Sequence, residues 1–164
     1  MSSPAPVSIY SVDSSSLMDW QDRFYPTDVF MDLLAKTEAL IAAGRFLAPA
    51  QVRQEVEAVG TPGLMDWVEH HRDMFVPTAQ TLTETQAIQR QFAGLLDPRA
   101  EHEEADAYVI ALAKIRGGIV VTQETAAAEK HKPKRSHYIP DVCRELGISC
   151  INFLGLMRRE GWRF

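Results

Sequence analysis

Five acidic residues stand where an α/β chain has little reason to leave bare charge: Asp13, Glu55, Asp106, Glu124 and Asp141. Asp13 closes the run Val7-Ser8-Ile9-Tyr10-Ser11-Val12, which alternates apolar and small polar residues as a strand does. Ligands of open α/β sheets bind beyond the carboxyl ends of the strands, which is where Asp13 falls. Glu124 holds an equivalent place after Ile119-Val120-Val121-Thr122, a short β-branched run typical of a buried parallel strand. Asp106 shares a helical face with Val109, Ile110 and Ala113, so it projects toward the side that packs. It also sits in a first helical turn, where the helix dipole favours an anion. Glu55 lies beside the apolar stripe Val52, Val56 and Val59, whereas Glu57 points nearly opposite at about 100° per residue. Asp141 follows Pro140 at a helix start. Four of the five have a plainer explanation: an Asx turn for Asp13, a boundary glutamate for Glu55, a cap for Asp106 or Asp141. Glu101, Glu103 and Glu104 read as ordinary solvated charge.

Brought together without a cation, such carboxylates repel and raise one another's pKa values. A hard divalent ion held by carboxylate oxygens and water removes that conflict. The chemistry these residue types suggest is therefore metal-centred, provided the fold makes them meet.

The elements that must position them alternate between strand and helix. Apolar residues at helical spacing (Val29, Phe30, Leu33, Leu34, Leu40, Ile41) predict a helix ending near Gly44, followed by a short strand at Phe46-Leu47-Ala48. Pro49 opens the helix carrying Glu55, in the position where a missing N–H costs least. The segment 64–96 reads as helical with an interruption near Val76-Pro77. The helix over 105–115 is apolar almost all round and therefore buried, and Gly117-Gly118 ends it. A short helix from Pro140 to about Gly147, a last strand over 148–152 and a last helix over 153–159 complete the chain. This pattern predicts an α/β fold with a short central parallel sheet. The 164 residues suit a single domain, with its helical segment at about 60–100.

Net charge is −5, which argues against a protein that coats DNA nonspecifically but not against a nuclease whose acids bind cations. No run of apolar residues suggests a membrane span. The start Met1-Ser2-Ser3-Pro4 lacks the basic-then-apolar pattern of a signal peptide, so a cytoplasmic protein is expected. Cys143 and Cys150 are expected to be buried free thiols.

The acids also fall in recognisable motifs. Val12-Asp13-Ser14-Ser15-Ser16-Leu17 resembles the first motif of PIN-domain nucleases, and Val52-Arg53-Gln54-Glu55-Val56 resembles the second. Ala105-Asp106-Ala107-Tyr108-Val109-Ile110-Ala111-Leu112-Ala113 resembles the third, and Val120-Val121-Thr122-Gln123-Glu124 the fourth, with glutamate in place of the usual aspartate. The longer blocks Arg23-Phe24-Tyr25-Pro26-Thr27-Asp28-Val29-Phe30 and Ile139-Pro140-Asp141-Val142-Cys143 look like a bacterial PIN-like family of unknown function, DUF4411. The resemblance implies a PIN-like three-layer α/β/α sandwich. It also implies a metal-dependent ribonuclease in which Asp13, Glu55 and Asp106 hold Mg²⁺ or Mn²⁺, with Glu124 or Asp141 completing the set. In-line hydrolysis of RNA leaving a 5′-phosphate and a 3′-hydroxyl would follow. Ser15 and Thr122 are candidates to orient the carboxylates, and turn or strand-end hydrogen bonds are their simpler role.

Lys130, Lys132, Lys134 and Arg135, with His131 and His137, form a basic loop able to contact RNA phosphates, or simply a solvated one. Arg158, Arg159 and Arg163 form a second basic group. His70 and His71 diverge by about 100° on a helix and do not make a chelating pair. Trp20, Trp67 and Trp162 read as buried anchors before base-stacking platforms. Compact bacterial PIN proteins resemble toxins of type II toxin–antitoxin pairs, so an antitoxin protein and a homodimer are expected partners beside RNA. A housekeeping RNA-processing nuclease and a non-catalytic PIN-like RNA- or protein-binding module are the alternatives. A phosphohydrolase of the haloacid-dehalogenase kind, with Asp13 as nucleophile, is disfavoured because Ser15 stands where its second aspartate belongs.

Overall fold

A computed structural model describes residues 7–101 and 103–164; the stretch 1–6, read above for a leader, lies outside them. Five short strands, β1 (Tyr10–Val12), β2 (Phe46–Pro49), β3 (Phe75–Val76), β4 (Ile119–Val121) and β5 (Cys150–Ile151), pair in the order β3-β2-β1-β4-β5. Every pairing is parallel, so helical crossovers must join the strands. The helices are α1 (Ser14–Met18), α2 (Met31–Ala42), α3 (Ala50–Val59), α4 (Pro62–His70), α5 (Thr78–Gln91), α6 (Asp106–Arg116), α7 (Ile139–Leu146) and α8 (Phe153–Arg159). This is the α/β class expected, consistent with three α/β/α layers.

Helix α6 shows why the middle of the molecule forms. Its residues Ala107 to Ala113 are all buried, and it packs on β1, β2 and α5. Gly117 ends it in a left-handed conformation (φ 60°), accessible at little cost only without a side chain. A Cβ on Gly118 would lie 2.7 Å from the Ile9 carbonyl oxygen, so glycine there lets β4 settle beside the residues leading into β1.

Several local expectations shift. The interruption near Val76-Pro77 is strand β3, which two residues are too few to reveal by periodicity; pairing of Ala48 with Phe75 and Pro49 with Val76 creates it. The turn-rich run after Asp13 is helix α1, continued by a π-helical turn over Asp19–Phe24. Pro49 caps α3 from β2, one position before the first helical residue. Val29 and Phe30 precede α2 and are exposed. Val59 is 69% exposed: it ends α3, where the chain turns away at Gly60 and no side chain covers it. The buried face of α3 is Gln51, Val52 and Val56, with Glu55 half-buried beside it.

The strand order matters for function. From β1 the chain runs outward through β2 to β3, then returns to place β4 and β5 on the other side of β1. The switch falls between β1 and β4, and the crevice beyond the carboxyl ends of two such strands is where open α/β sheets bind ligands.

A carboxylate cluster at the switch point

Asp13 and Glu124 follow β1 and β4, the two strands flanking the switch. The Asp13 N–H bonds the Val121 carbonyl at 2.9 Å, continuing the ladder and pinning the acid to the sheet. Its side chain caps α1: Oδ1 accepts from the Ser14 N–H at 2.9 Å, and Oδ2 accepts from Ser15 Oγ at 2.8 Å and Thr122 Oγ1 at 3.0 Å. Both hydroxyls serve twice, since Thr122 Oγ1 accepts from the Glu124 N–H at 3.1 Å and Ser15 Oγ from the Gln123 N–H at 3.1 Å. The strand-end hydrogen bonds expected of Ser15 and Thr122 and their orienting of a carboxylate are one and the same arrangement.

Glu55 reaches across from α3. Its Oε2 accepts from Ser14 Oγ at 2.5 Å and its Oε1 from the Ala105 N–H at 2.9 Å, at the start of α6. A carboxylate beside a helix N-terminus is favoured by the dipole. Asp106, the first residue of α6, accepts at Oδ2 from Arg135 Nη1 at 2.9 Å. Glu124 accepts at Oε2 from the Ile139 N–H at 3.2 Å and at Oε1 from Arg135 Nη2 at 3.4 Å.

These acids act on one another electrically. Burial, then the charges of Glu124 and Glu55, push the Asp13 carboxyl up to about 6, against the opposing Ser15 and Thr122 hydrogen bonds. Burial, then Glu124 and Asp13, hold Asp106 well above the usual carboxylate range, with Arg135 pulling the other way. Burial raises Glu124, opposed by the Ile139 N–H and by the charges of Arg135 and Lys130.

Asp141 has a different position. Its Oδ2 accepts from the Tyr138 N–H at 2.8 Å and the Ala127 N–H at 2.9 Å, and its Oδ1 lies 3.5 Å from an Arg144 nitrogen. It caps α7 and fastens the 3₁₀ turn Ala127–Glu129 to it. Of the two candidates for the fourth acid, Glu124 joins the other three, and Asp141 is spent on backbone N–H groups.

The donor set suits a hard divalent cation: every candidate ligating atom is a carboxylate oxygen, Asp13 is buried and the other three are half-buried, and their charges are in surplus. Each of the four carboxylates keeps lone pairs beyond the hydrogen bonds described. As placed, among the described residues, no three acids, histidines or cysteines are drawn tightly enough to hold an ion. Arg135 stands between Asp106 and Glu124 instead.

A family profile described as a domain of unknown function, DUF4411, matches residues 10–164. The chain belongs to the DUF4411 family. No curated protein matches it.

The remaining candidates of the DUF4411 chain divide clearly. In the basic loop, Lys132 and Lys134 are exposed, and the Lys130 ammonium lies 4.3 Å from the centre of the Tyr138 ring. Arg135, expected to meet RNA, is turned inward and only 13% exposed. Its inward turn and the third acid beside it (Glu104, 3.8 Å away) were not legible, because a loop has no periodicity to fix a direction; the Ser14 link to Glu55 was not, because it depends on how α1 and α3 pack. Arg159 bonds Ser8, ahead of β1, so it sits at the end of the sheet opposite the acids. His70 and His71 each turn Nδ1 to a carbonyl one helical turn back, of Asp66 and Trp67, and form no chelating pair. Trp20 (1% exposed) stacks on Phe153 and meets Trp67 (9% exposed) edge-on, so both are core anchors; Trp162 is half-buried. Cys143 and Cys150 are free thiols, the first buried and the second half-buried. Among the described residues, no helix is long and apolar enough to cross a membrane. A hollow of about 530 Å³ between α4 and residues 21–28 touches none of the four acids. A smaller one of about 230 Å³, lined by Ser15, Met18, Asp19, Arg23, Gln123 and Glu124, borders the cluster.

Proposed function

We propose that this chain is a metal-dependent endoribonuclease of the PIN kind, hydrolysing RNA phosphodiester bonds with Mg²⁺ or Mn²⁺. The observation that carries the reading is the meeting of Asp13, Glu55, Asp106 and Glu124 at the switch point, at a cost in repulsion that a divalent cation relieves. When bound, the metal supplies an activated water and charge stabilisation at the scissile phosphate. The chain's own residues do the rest. Ser15 and Thr122 hold one oxygen of Asp13, and Ser14 and the α6 N-terminus hold Glu55, so these two carboxylates are fixed in direction. Lys130, whose charge reaches Glu124, and the exposed Lys132 and Lys134 of the same loop offer positive charge to an incoming phosphate backbone. The 230 Å³ hollow beside Glu124 gives a strand a place to lie. The setting we favour is the toxin of a type II toxin–antitoxin pair, on the motif resemblance alone.

A second reading, a PIN-like module that binds RNA without cutting it, is favoured by one feature: Arg135 already compensates two of the acids. One experiment separates the two. Purified protein is incubated with varied single-stranded RNAs and Mn²⁺ or Mg²⁺, beside Asp13→Asn and Asp106→Asn. Metal-dependent cleavage leaving 5′-phosphates, lost in both variants, is expected. Retained RNA binding with no cleavage of any substrate leaves the binding module. Activity surviving both substitutions removes the assignment of the site.

A further inference from the structure

Arg135 is the least expected member of the cluster. It belongs to a segment, 130–138, with no regular secondary structure until α7 begins, yet its guanidinium is deep among acids. Nη1 lies 2.9 Å from Asp106 Oδ2 and 3.8 Å from Glu104 Oε2, and Nη2 lies 3.4 Å from Glu124 Oε1. Asp106 and Glu124 are two of the four carboxylates assigned above to the metal. A planar guanidinium spanning two carboxylates from different elements occupies the position of positive charge that a bridging cation would take.

The rest of its surroundings do not depend on those acids. Nη1 also donates to the Leu95 carbonyl at 2.7 Å, and the guanidinium carbon sits 4.5 Å from the centre of the Tyr138 ring. The same tyrosine's hydroxyl accepts from the Lys134 N–H at 3.0 Å, and the His137 N–H donates to the Gly94 carbonyl at 3.3 Å. The segment thus has its own moorings on the 3₁₀ turn Ala93–Leu95 and on Tyr138. The side chain can leave the carboxylates and keep a carbonyl and an aromatic face as partners.

The charge balance gives the direction. Four carboxylates meet one guanidinium, with Lys130 further out, so negative charge remains in surplus. A divalent ion, with twice the charge in a smaller volume, can bind all four, whereas the fork of Arg135 reaches only two of them.

We propose that Arg135 is a built-in counter-ion latch: its guanidinium holds Asp106 and Glu124 in the metal-free site, and a divalent cation binds by displacing it. This rests on the metal-site reading above and adds a competition within the chain that sets the metal affinity.

The test measures Mn²⁺ binding, by calorimetry or by the loss of the free-ion paramagnetic signal, on the wild-type chain, Arg135→Gln and Arg135→Lys. Removing the competing pair is expected to tighten Mn²⁺ binding roughly 10- to 100-fold in Arg135→Gln, the scale of a charge-assisted contact. Arg135→Lys should fall between. Equal or weaker binding in Arg135→Gln overturns the latch. A second measurement uses only wild-type protein and so survives a variant that fails to fold. The Arg135 Nε–H resonance is followed as diamagnetic Mg²⁺ is added. Displacement shifts it and speeds its exchange with water; an unmoved signal at metal saturation means that the arginine merely neutralises charge, and the latch falls. Failure of Mn²⁺ to bind either chain overturns latch and metal site together. Metal exchange against Arg135 without RNA cleavage keeps the latch and removes the nuclease.

Discussion

Thr122 Oγ1 donates to Asp13 Oδ2 across 3.0 Å, joining the ends of the two strands that flank the switch point. The same oxygen accepts from the Glu124 N–H, so one hydroxyl orients the Asp13 carboxylate and fixes the backbone that carries Glu124. Thr122→Val keeps the shape and removes both bonds. It is expected to cost about 1–3 kcal/mol in urea unfolding, since a buried acceptor and a backbone N–H each lose a partner. The Asp13 carboxyl should rise further, because a hydrogen bond that favours its charged form is gone. Carboxyl carbon chemical shifts followed against pH check this; an Asp13 titration that stays in place or falls refutes the role given to Thr122.

The raised Asp13 sets a pH dependence. Its folded value of about 6 exceeds its ordinary 3.8, so between those values the folded chain keeps a proton that the unfolded chain has lost. The unfolded state then binds fewer protons, and stability contributed by this group falls as pH rises through the window from about 4 to 6. A two-unit shift corresponds to about 3 kcal/mol. Without metal, Asp13→Asn is expected to flatten that slope and to be more stable than wild type at pH 7. Thermal melts of both chains across the window, with and without Mg²⁺, give the comparison; parallel wild-type and variant curves contradict it.

Glu55 joins three elements through Ser14, Ala105 and its own helix α3. Glu55→Gln retains an oxygen acceptor for the Ala105 N–H, so stability should change by less than about 1 kcal/mol. Mn²⁺ affinity should drop roughly tenfold or more, because one full ligand charge is lost. Glu55→Ala strands the Ser14 hydroxyl and the Ala105 N–H and should cost about 2–3 kcal/mol. Equal Mn²⁺ isotherms for wild type and Glu55→Gln would take Glu55 out of the ligand set.

Glu124 and Asp141 separate by opposite signatures. Asp141→Ala leaves the Tyr138 and Ala127 N–H groups without their acceptor and should destabilise by about 1–3 kcal/mol while folded protein still binds metal. Glu124→Gln relieves repulsion on Asp106 and Asp13, so it should be neutral or stabilising without metal and lose metal affinity. Paired denaturation and Mn²⁺ titration of the two variants decides; a reversed pattern would make Asp141 the ligand.

The alternation of strands and helices, the buried α6 and the placement of Asp13 and Asp106 were legible because each leaves a local mark, whereas Glu55 stood out by its motif more than by its helix face. Asp13 ends an alternating strand and Glu124 follows an apolar β-branched one, and Asp106 lies on the face of α6 that its own following residues bury. Strand β3 left no such mark, being two residues that exist only through their pairing with β2. Val59 misled because periodicity gives the face of a helix but not where its neighbours stop covering it. Tertiary structure alone decided which fourth acid joins the others, since Glu124 and Asp141 both occupy plausible ends of elements in the sequence. It alone turned Arg135 from an exposed basic loop into the heart of the acidic site. The physical reason is the same in both cases. Periodic elements inherit their direction from backbone geometry, whereas a loop side chain takes its direction from the charges it meets, and these come from residues far away in the chain.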